Sequence, residues 1–138
     1  MATLLEANEV TKIYAKGQRP SLNKVSFNVA ESEFIAIMGA SGSGKTTLLN
    51  VLSTIDTPTS GSIVINGVNL KQLSDTGSAD FRSDTLGFIF QESFLLDSLT
   101  IRENISVPLT LQKLPHKKIE KRVRSLAERC GSASPLDI

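Results

Sequence analysis

A continuous run of eight residues has the types and spacing that phosphate chemistry requires. Residues 39–46 read GASGSGKT and match G-x-x-x-x-G-K-[ST] at every fixed position. The glycines allow several backbone N–H groups to point into one hollow, and a helix that starts here adds the positive end of its dipole. Lys45 is then placed to reach the terminal phosphates, and the Thr46 hydroxyl to hold a Mg²⁺ that also contacts them. The motif predicts a nucleotide polyphosphate site rather than an ordinary Gly/Ser turn.

The residues around this motif predict a strand before it and a helix after it. Residues 34–38 (FIAIM) form an unbroken apolar run, which favours a strand covered on both faces, as in a parallel α/β sheet. The helix follows over residues 47–52 (TLLNVL). Earlier in the chain, Leu22 to Val29 alternates between apolar and polar residues, which predicts a half-exposed antiparallel strand.

The middle of the chain predicts a hairpin and a second buried strand. Residues 58–61 (PTSG) indicate a turn, and Ser62 to Ile65 followed by Asn66-Gly67 is a strong hairpin signal. Leu70 to Arg82 is polar and has no clear period. Residues 87–90 (GFIF) predict a buried strand that ends at the polar Gln91.

Helical patterns dominate after residue 100. Thr100 and Glu103 fit a capping box that opens a short helix, and Pro108 is expected to interrupt it. A second, amphipathic helix is predicted from His116 to Cys130, with Gly131 as its stop. Its predicted apolar positions are Ile119, Val123, Leu126, Ala127 and Cys130. The opposite face carries Lys117, Lys118, Lys121, Arg122 and Arg124, and because Glu120 and Glu128 interrupt the run, a solvated face is favoured over an anion-binding patch.

Length and composition indicate one globular α/β domain. The chain has 138 residues, 40% of them hydrophobic, and a formal net charge of +1. Without a broad cationic field, nucleic acid is not expected as a partner. The single cysteine, Cys130, excludes an internal disulfide and, with no secretory leader, predicts a reducing compartment; a half-buried helix residue is its expected role. No apolar run approaches the roughly 18 residues that cross a bilayer.

Residues in register with the phosphate loop resemble the ATP-binding subunits of ABC transporters. Tyr14 stands 25 residues before Gly39, where that family places an aromatic residue to stack on adenine. Residues 58–63 (PTSGSI) are similar to the family's turn into its antiparallel subdomain, and Gln91 is similar to the glutamine of its Q-loop. Without the resemblance, Tyr14 would be read as a strand residue packed into the sheet, and Gln91 as a polar strand end.

The resemblance implies ATP and Mg²⁺ as cofactors and a role for each matched residue. Lys45 pairs with the β and γ phosphates, Thr46 and Gln91 contact Mg²⁺, and Lys45 and Gln91 are the catalytic candidates. Thr47 contacts the α phosphate, and Tyr14 holds adenine. The implied backbone contacts to phosphate come from Gly39, Ser41, Gly42, Ser43 and Gly44.

The resemblance also implies the architecture and the partners. It predicts an α/β P-loop NTPase domain over residues 1–138, with an N-terminal antiparallel β subdomain, a phosphate loop at 39–46, a glutamine loop at 91 and the start of a helical subdomain at about 100–131. The implied partners are an integral-membrane permease and a second ATP-binding subunit, which place the protein in the cytoplasm at the inner face of the plasma membrane. Residues 49–56 (LNVLSTID) and 87–97 (GFIFQESFLLD) are most similar to the branch that exports bacitracin-type antimicrobial peptides, close to macrolide exporters and lipoprotein-releasing complexes.

Three motifs that the family carries later in its sequence have no counterpart in these residues: a Leu-Ser-Gly-Gly-Gln signature, an apolar strand ending in Asp-Glu, and a switch histidine. His116 lacks a preceding apolar strand and is expected on a helix surface instead. We therefore expect a C-terminally truncated member whose later core strands are missing, whose turnover is doubtful and whose isolated stability is low.

Two alternatives remain open at this point. The first is a module that binds Mg·ATP or docks to a membrane partner and hydrolyses nothing. The second is another P-loop enzyme, such as a small kinase or GTPase, although an Asn-Lys-x-Asp guanine-reading motif does not occur.

Overall fold

The computed structural model describes residues 2–91 and 94–130, which fall into two compact units, Met1–Arg82 and Ser83–Ile138. The first unit is built on an antiparallel sheet and the second on a pair of helices. Among the described residues, none of the helices is both long and apolar enough to cross a membrane.

An antiparallel sheet of four strands forms the described core of the first unit. Its strands are β1 (Thr3–Lys12), β2 (Leu22–Ala30), β3 (Ser60–Ile65) and β4 (Val68–Asn69), in the spatial order β2-β1-β3-β4. In β2 the predicted alternation is confirmed: every second side chain from residue 25 to residue 29 is partly buried, and those between are exposed. The central strand β1 pairs on both sides, so Ala7 lies opposite both Phe27 and Ile63.

The predicted hairpin is confirmed between β3 and β4. Asn66 and Gly67 both have positive φ, at 51° and 77°, as the two central residues of a type I′ turn require. Strand β3 begins at Ser60, two residues before the predicted start at Ser62. The turn brings Ile65 opposite Val68 and fixes the register of the sheet edge.

Two helices begin in the first unit, and only one of them was predicted. Helix α1 (Lys45–Leu52) follows the phosphate loop and buries Leu48 and Val51. After a 3₁₀ turn over Leu70–Gln72, the segment without a clear period forms α2 (Asp75–Thr85). This helix buries a single side chain, Phe81, so it shows little amphipathic signal.

Both strands predicted as buried were wrong. Residues 34–38 and 87–90 are extended segments outside any strand, and neither pairs with a residue that the structure describes. Phe34 is 94% exposed and Ile89 is fully exposed. An apolar run forms a strand only where a neighbouring strand takes up its backbone hydrogen bonds. Among the described residues, no strand pairs with either run.

Two antiparallel helices make up the described core of the second unit. Helix α3 (Ile101–Leu111) begins with the predicted capping box: the Thr100 side chain accepts from the Glu103 backbone N–H, and the Glu103 carboxylate accepts from the Thr100 N–H. These bonds to Thr100 hold the pKa of Glu103 below its ordinary value. Helix α4 (His116–Arg129) then packs back on α3. The buried cluster between them consists of Leu109, Ile119 and Val123, flanked by Ile105 and Leu114.

Three details of this unit differ from the sequence prediction. Pro108 does not interrupt α3, because proline removes only the bond to the carbonyl four residues earlier while Leu109 stays buried in the cluster. Of the predicted apolar face of α4, Leu126 is 38% exposed, and Cys130 is an exposed residue that caps the helix. The predicted stop at Gly131 lies outside the described residues. His116 is exposed at the start of α4, as expected.

Candidate functional site

The phosphate loop lies between the extended segment 34–38 and α1, within the first unit. Gly44 is the residue before the helix and has φ 92°. A Cβ built on Gly44 would stand 2.3 Å from the carbonyl oxygen of Ser21, closer than real Cβ atoms come to a backbone atom. Only glycine fits here, so this position of the motif is needed to bring the loop against the beginning of β2.

The start of α1 carries backbone donors that the protein leaves free. The first helical bond runs from the Leu48 N–H to the Gly44 carbonyl, at 2.8 Å. The N–H groups of residues 44–47 have no acceptor among the residues that the structure describes, and no side chain caps the helix. Free N–H groups together with the positive end of a helix bind anions, and phosphate above all.

The Lys45 ammonium lies over the loop. Its Nζ donates to the carbonyl oxygens of Gly39, at 2.8 Å, and Ala40, at 2.7 Å, and lies 3.5 Å from the Ser43 hydroxyl. The carbonyl acceptors are neutral, whereas a phosphate carries negative charge and would add the attraction of opposite charges to its hydrogen bond with the ammonium. A bound polyphosphate would therefore draw Lys45 away from the two carbonyls.

Tyr14 lies beside the start of α1. Its hydroxyl lies 3.5 Å from the Thr47 hydroxyl oxygen, and 58% of the residue is exposed. Tyr14 lies two positions after Lys12, the last residue of β1, and is exposed rather than packed into the sheet. The structure therefore brings Tyr14 and residues 39–47 together in one unit.

Thr46 offers a free hydroxyl beside these donors. The residue is exposed, and its side chain has no hydrogen-bond partner among the residues described. The same residues contain no group of three or more His, Cys, Asp or Glu side chains that could hold a metal. A Mg²⁺ here would be held as proteins often hold it, by one hydroxyl together with the phosphates of the nucleotide.

Lys12 and Asp56 join this site, and sequence reasoning missed both. The Lys12 Nζ forms an ion pair with the Asp56 carboxylate, donates to the Thr57 carbonyl at 2.8 Å and lies 5.0 Å from the centre of the Tyr14 ring. The residues of the ion pair are 44 positions apart, so a local pattern could not reveal it. The only available signal was the position of a cation two residues before the predicted base-binding ring.

The Asp56 carboxyl is held in its ionised form. Burial raises the pKa of Asp56, but the hydrogen bond and charge of Lys12 and the Thr57 backbone N–H lower it by more, with a smaller contribution from Tyr14. The pKa therefore lies below its ordinary value. The negative charge that anchors Lys12 is present throughout the neutral range.

Gln91 belongs to the second unit. It lies in a bend after the extended segment 87–90 and is exposed, so it does not end a strand as the sequence predicted. The next two residues lie outside the described part of the chain. The proposed role of Gln91 therefore rests on the family resemblance.

Comparison with known proteins identifies the family to which these features belong. A family model described as ABC transporter matches residues 22–136. The ABC transporter ATP-binding protein YxdL of Bacillus subtilis (strain 168) is 50% identical over 133 residues, which are 95% of this chain and 51% of the relative. The bacitracin export ATP-binding protein BceA of Halalkalibacterium halodurans is 45% identical over 130 residues, 93% of this chain and 51% of that protein.

Solved structures agree with the sequence comparison. The ATP-binding cassette MJ0796, in a dimeric post-hydrolysis state bound to ADP and Pi, superimposes with a TM-score of 0.79 at 34% identity, covering 90% of this chain and 56% of the other. The chain thus spans about half the length of the relatives it matches. The match to the family model extends over most of the chain and includes the phosphate loop, and we conclude that this chain belongs to the ABC transporter family.

Proposed function

We propose that this chain binds Mg·ATP at the phosphate loop. The observation that carries the proposal is the set of N–H groups at residues 44–47, which have no acceptor in the described part of the chain and lie next to the Lys45 ammonium. Lys45 moves from its two carbonyl partners to the β and γ phosphates, and Thr47 contacts the α phosphate. The remaining backbone contacts come from Gly39, Ser41, Gly42, Ser43 and Gly44. Membership in the ABC family favours this function over that of a small kinase or GTPase.

The adenine and the metal complete the proposed site. Tyr14 is exposed beside Thr47 and stacks on the base. Thr46 supplies one oxygen to Mg²⁺. The metal offsets the charge of the phosphates when it is bound, while the side chains of this chain orient the nucleotide.

In the whole protein we propose that ATP hydrolysis drives transmembrane export of antimicrobial peptides or similar amphiphiles. The name of the bacitracin export relative supports the substrate class, and the dimeric cassette structure supports a second ATP-binding subunit as partner. A permease subunit would hold the protein at the inner face of the plasma membrane. Residues 1–138 then form part of an ATP-binding domain, with the glutamine loop at 91 and the helical subdomain starting at about residue 100.

A second candidate function is ATP binding without turnover by these residues alone. Phosphoryl transfer requires a positioned water and charge stabilisation around the γ phosphate, in addition to a phosphate cradle. The relatives that carry the family's activity in their names are about twice as long as this chain. Phosphate release measured beside ATP binding separates the two functions, since binding without release supports the second.

Calorimetry with Mg·ATP tests the proposed site. The expected result is saturable binding that Lys45→Ala weakens at least about tenfold, because a charge-assisted contact to phosphate is lost. Lys71→Ala is the matched control, because Lys71 is exposed in the 3₁₀ turn. The affinity of this variant for Mg·ATP should equal that of the wild type. Unchanged affinity in Lys45→Ala would contradict the site, and a folded wild-type chain that shows no saturable heat would reject the function.

A further inference from the structure

The ring proposed to bind adenine is held by a cation that the phosphate motif does not include. The Lys12 Nζ lies over the Tyr14 ring, 5.0 Å from its centroid. The same ammonium pairs with Asp56 and donates to the Thr57 carbonyl at 2.8 Å. The Lys12 side chain is only 12% exposed, against 70% for the Lys24 side chain on the next strand. Its position is therefore set by packing and by three partners at once.

These three partners connect the two parts of the proposed site. Lys12 is the last residue of β1, two positions before Tyr14, while Asp56 and Thr57 follow the C-terminal end of α1. The phosphate loop opens that same helix. Lys12 thus connects the strand end that carries the ring to the helix that begins with the free N–H groups, and the Tyr14 hydroxyl meets the same helix at Thr47.

The contact of the Lys12 ammonium with Tyr14 also distinguishes the two faces of the tyrosine ring. A cation over an aromatic face occupies that face, so a purine base can stack only on the opposite one. Tyr14 remains 58% exposed, which leaves room for such a base. An unsupported tyrosine at the end of a strand would sample several rotamers, and fixing one of them before binding reduces the entropy that ordering the ring costs.

We propose that Lys12 is a positioning residue for the purine base of the nucleoside triphosphate: anchored by Asp56, its ammonium fixes the Tyr14 ring and leaves a single face for stacking. This inference rests on the proposed function and deepens it. It predicts that Lys12 contributes to binding of the base and not to binding of the phosphates.

The test compares two ligands, Mg·ATP and Mg·tripolyphosphate, by calorimetry on the full chain. Lys12→Met keeps the apolar stem and removes the ammonium, so it should weaken ATP binding about three- to tenfold and leave tripolyphosphate binding unchanged. Lys12→Arg should restore most of the ATP affinity, since a guanidinium also stacks on rings and pairs with carboxylates. Lys24→Met, the same substitution at an exposed lysine of β2, should affect neither ligand.

A double substitution then tests whether Lys12 acts through the ring. In a Tyr14→Ala background, Lys12→Met should cause no further loss of ATP affinity, because the ring it positions is gone. Asp56→Asn retains the ammonium but removes its anchor, and it gives a second variant with an expected ATP-selective loss should Lys12→Met fail to fold. Circular dichroism confirms the fold of each variant.

Four outcomes overturn the inference. Equal losses of affinity for ATP and tripolyphosphate in Lys12→Met would mean that Lys12 supports the phosphate loop as a whole. A full additional loss of ATP affinity when Lys12→Met is added to Tyr14→Ala would mean that Lys12 acts without the ring. Unchanged ATP binding by Lys12→Met, with normal binding by the wild type, would reject this inference alone. A folded wild-type chain that binds neither ligand would reject the proposed function as well.

Discussion

Replacing Gly44 with alanine tests the geometry that places the phosphate loop. A Cβ at Gly44 would lie 2.3 Å from the Ser21 carbonyl oxygen and 3.3 Å from Leu22 Cδ2, so either β2 or the start of α1 must move. Gly42 is the matched control. Its φ is also positive, at 78°, but a Cβ there meets nothing within 4 Å.

The two substitutions share the cost of alanine at positive φ and differ in whether the new methyl group clashes with the backbone. Each places alanine at positive φ, which costs about 1–2 kcal/mol. Only the alanine at Gly44 adds a steric clash with the backbone, for which overpacking costs of about 1–3 kcal/mol are typical. We therefore expect Gly44→Ala to lower the free energy of unfolding by about 2–5 kcal/mol and Gly42→Ala by about 1–2 kcal/mol.

Urea unfolding followed by circular dichroism measures both values in the full chain. A larger loss for Gly44→Ala than for Gly42→Ala confirms that the loop is packed against the beginning of β2. Equal losses would refute the reasoning, because they would show that the Ser21 carbonyl does not restrict position 44. Comparing the urea dependence of the two variants guards against a change in the unfolded state.

Two further predictions concern a charge and a buried side chain. Because the pKa of Asp56 in the folded protein lies below its ordinary value, the contribution of Asp56 to stability is present above about pH 4 and is lost as the pH falls through the folded-state pKa. The stability difference between the wild type and Asp56→Asn, measured in urea from pH 7 to pH 3, should therefore shrink on acidification, and a constant difference contradicts the ion pair with Lys12. Val123 is 1% exposed in the α3–α4 cluster, so Val123→Ala should destabilise the packing of α3 on α4 by about 2 kcal/mol. Hydrogen exchange of the α3 and α4 amides measures this loss, and exposed Lys118→Ala should leave exchange unchanged.

Features encoded by a few neighbouring residues could be predicted from the sequence. The phosphate loop, the Asn66-Gly67 turn and the Thr100 capping box each depend on backbone angles and hydrogen bonds within about four positions. The resemblance to the ABC family, now confirmed by the family match, depended on the same local motifs.

Features that depend on distant residues could not be predicted. The Lys12–Asp56 pair and the contact of Lys12 with the Tyr14 ring require β1 and the end of α1 to meet, which no local pattern states. Helix α2 was missed because a helix with one buried residue, Phe81, has almost no apolar period. The two predicted strands failed for the related reason that an apolar run specifies a strand only together with its neighbours.

The exposed apolar segment 34–38 can be tested by comparing two phenylalanines in the same unit. Phe34 is 94% exposed, whereas Phe81, on α2, is 8% exposed. Truncating a buried phenylalanine costs about 3–5 kcal/mol, and a substitution at an exposed position stays within about 0.5 kcal/mol. We expect Phe34→Ala to leave the free energy of unfolding nearly unchanged and Phe81→Ala to lower it strongly.

The comparison decides between two states of the segment, because both variants remove the same side chain. A loss at Phe34 as large as that at Phe81 would show that residues 34–38 are covered in solution and that the extended, unpaired segment is not the state of the free chain. Repeating the urea titration at several protein concentrations identifies cover supplied by a second copy, since the unfolding midpoint would then rise with concentration. A small, concentration-independent loss at Phe34 means that the phosphate loop is held by Gly44 and α1 on one side alone, and its N–H groups are then positioned by the helix rather than by a preceding strand.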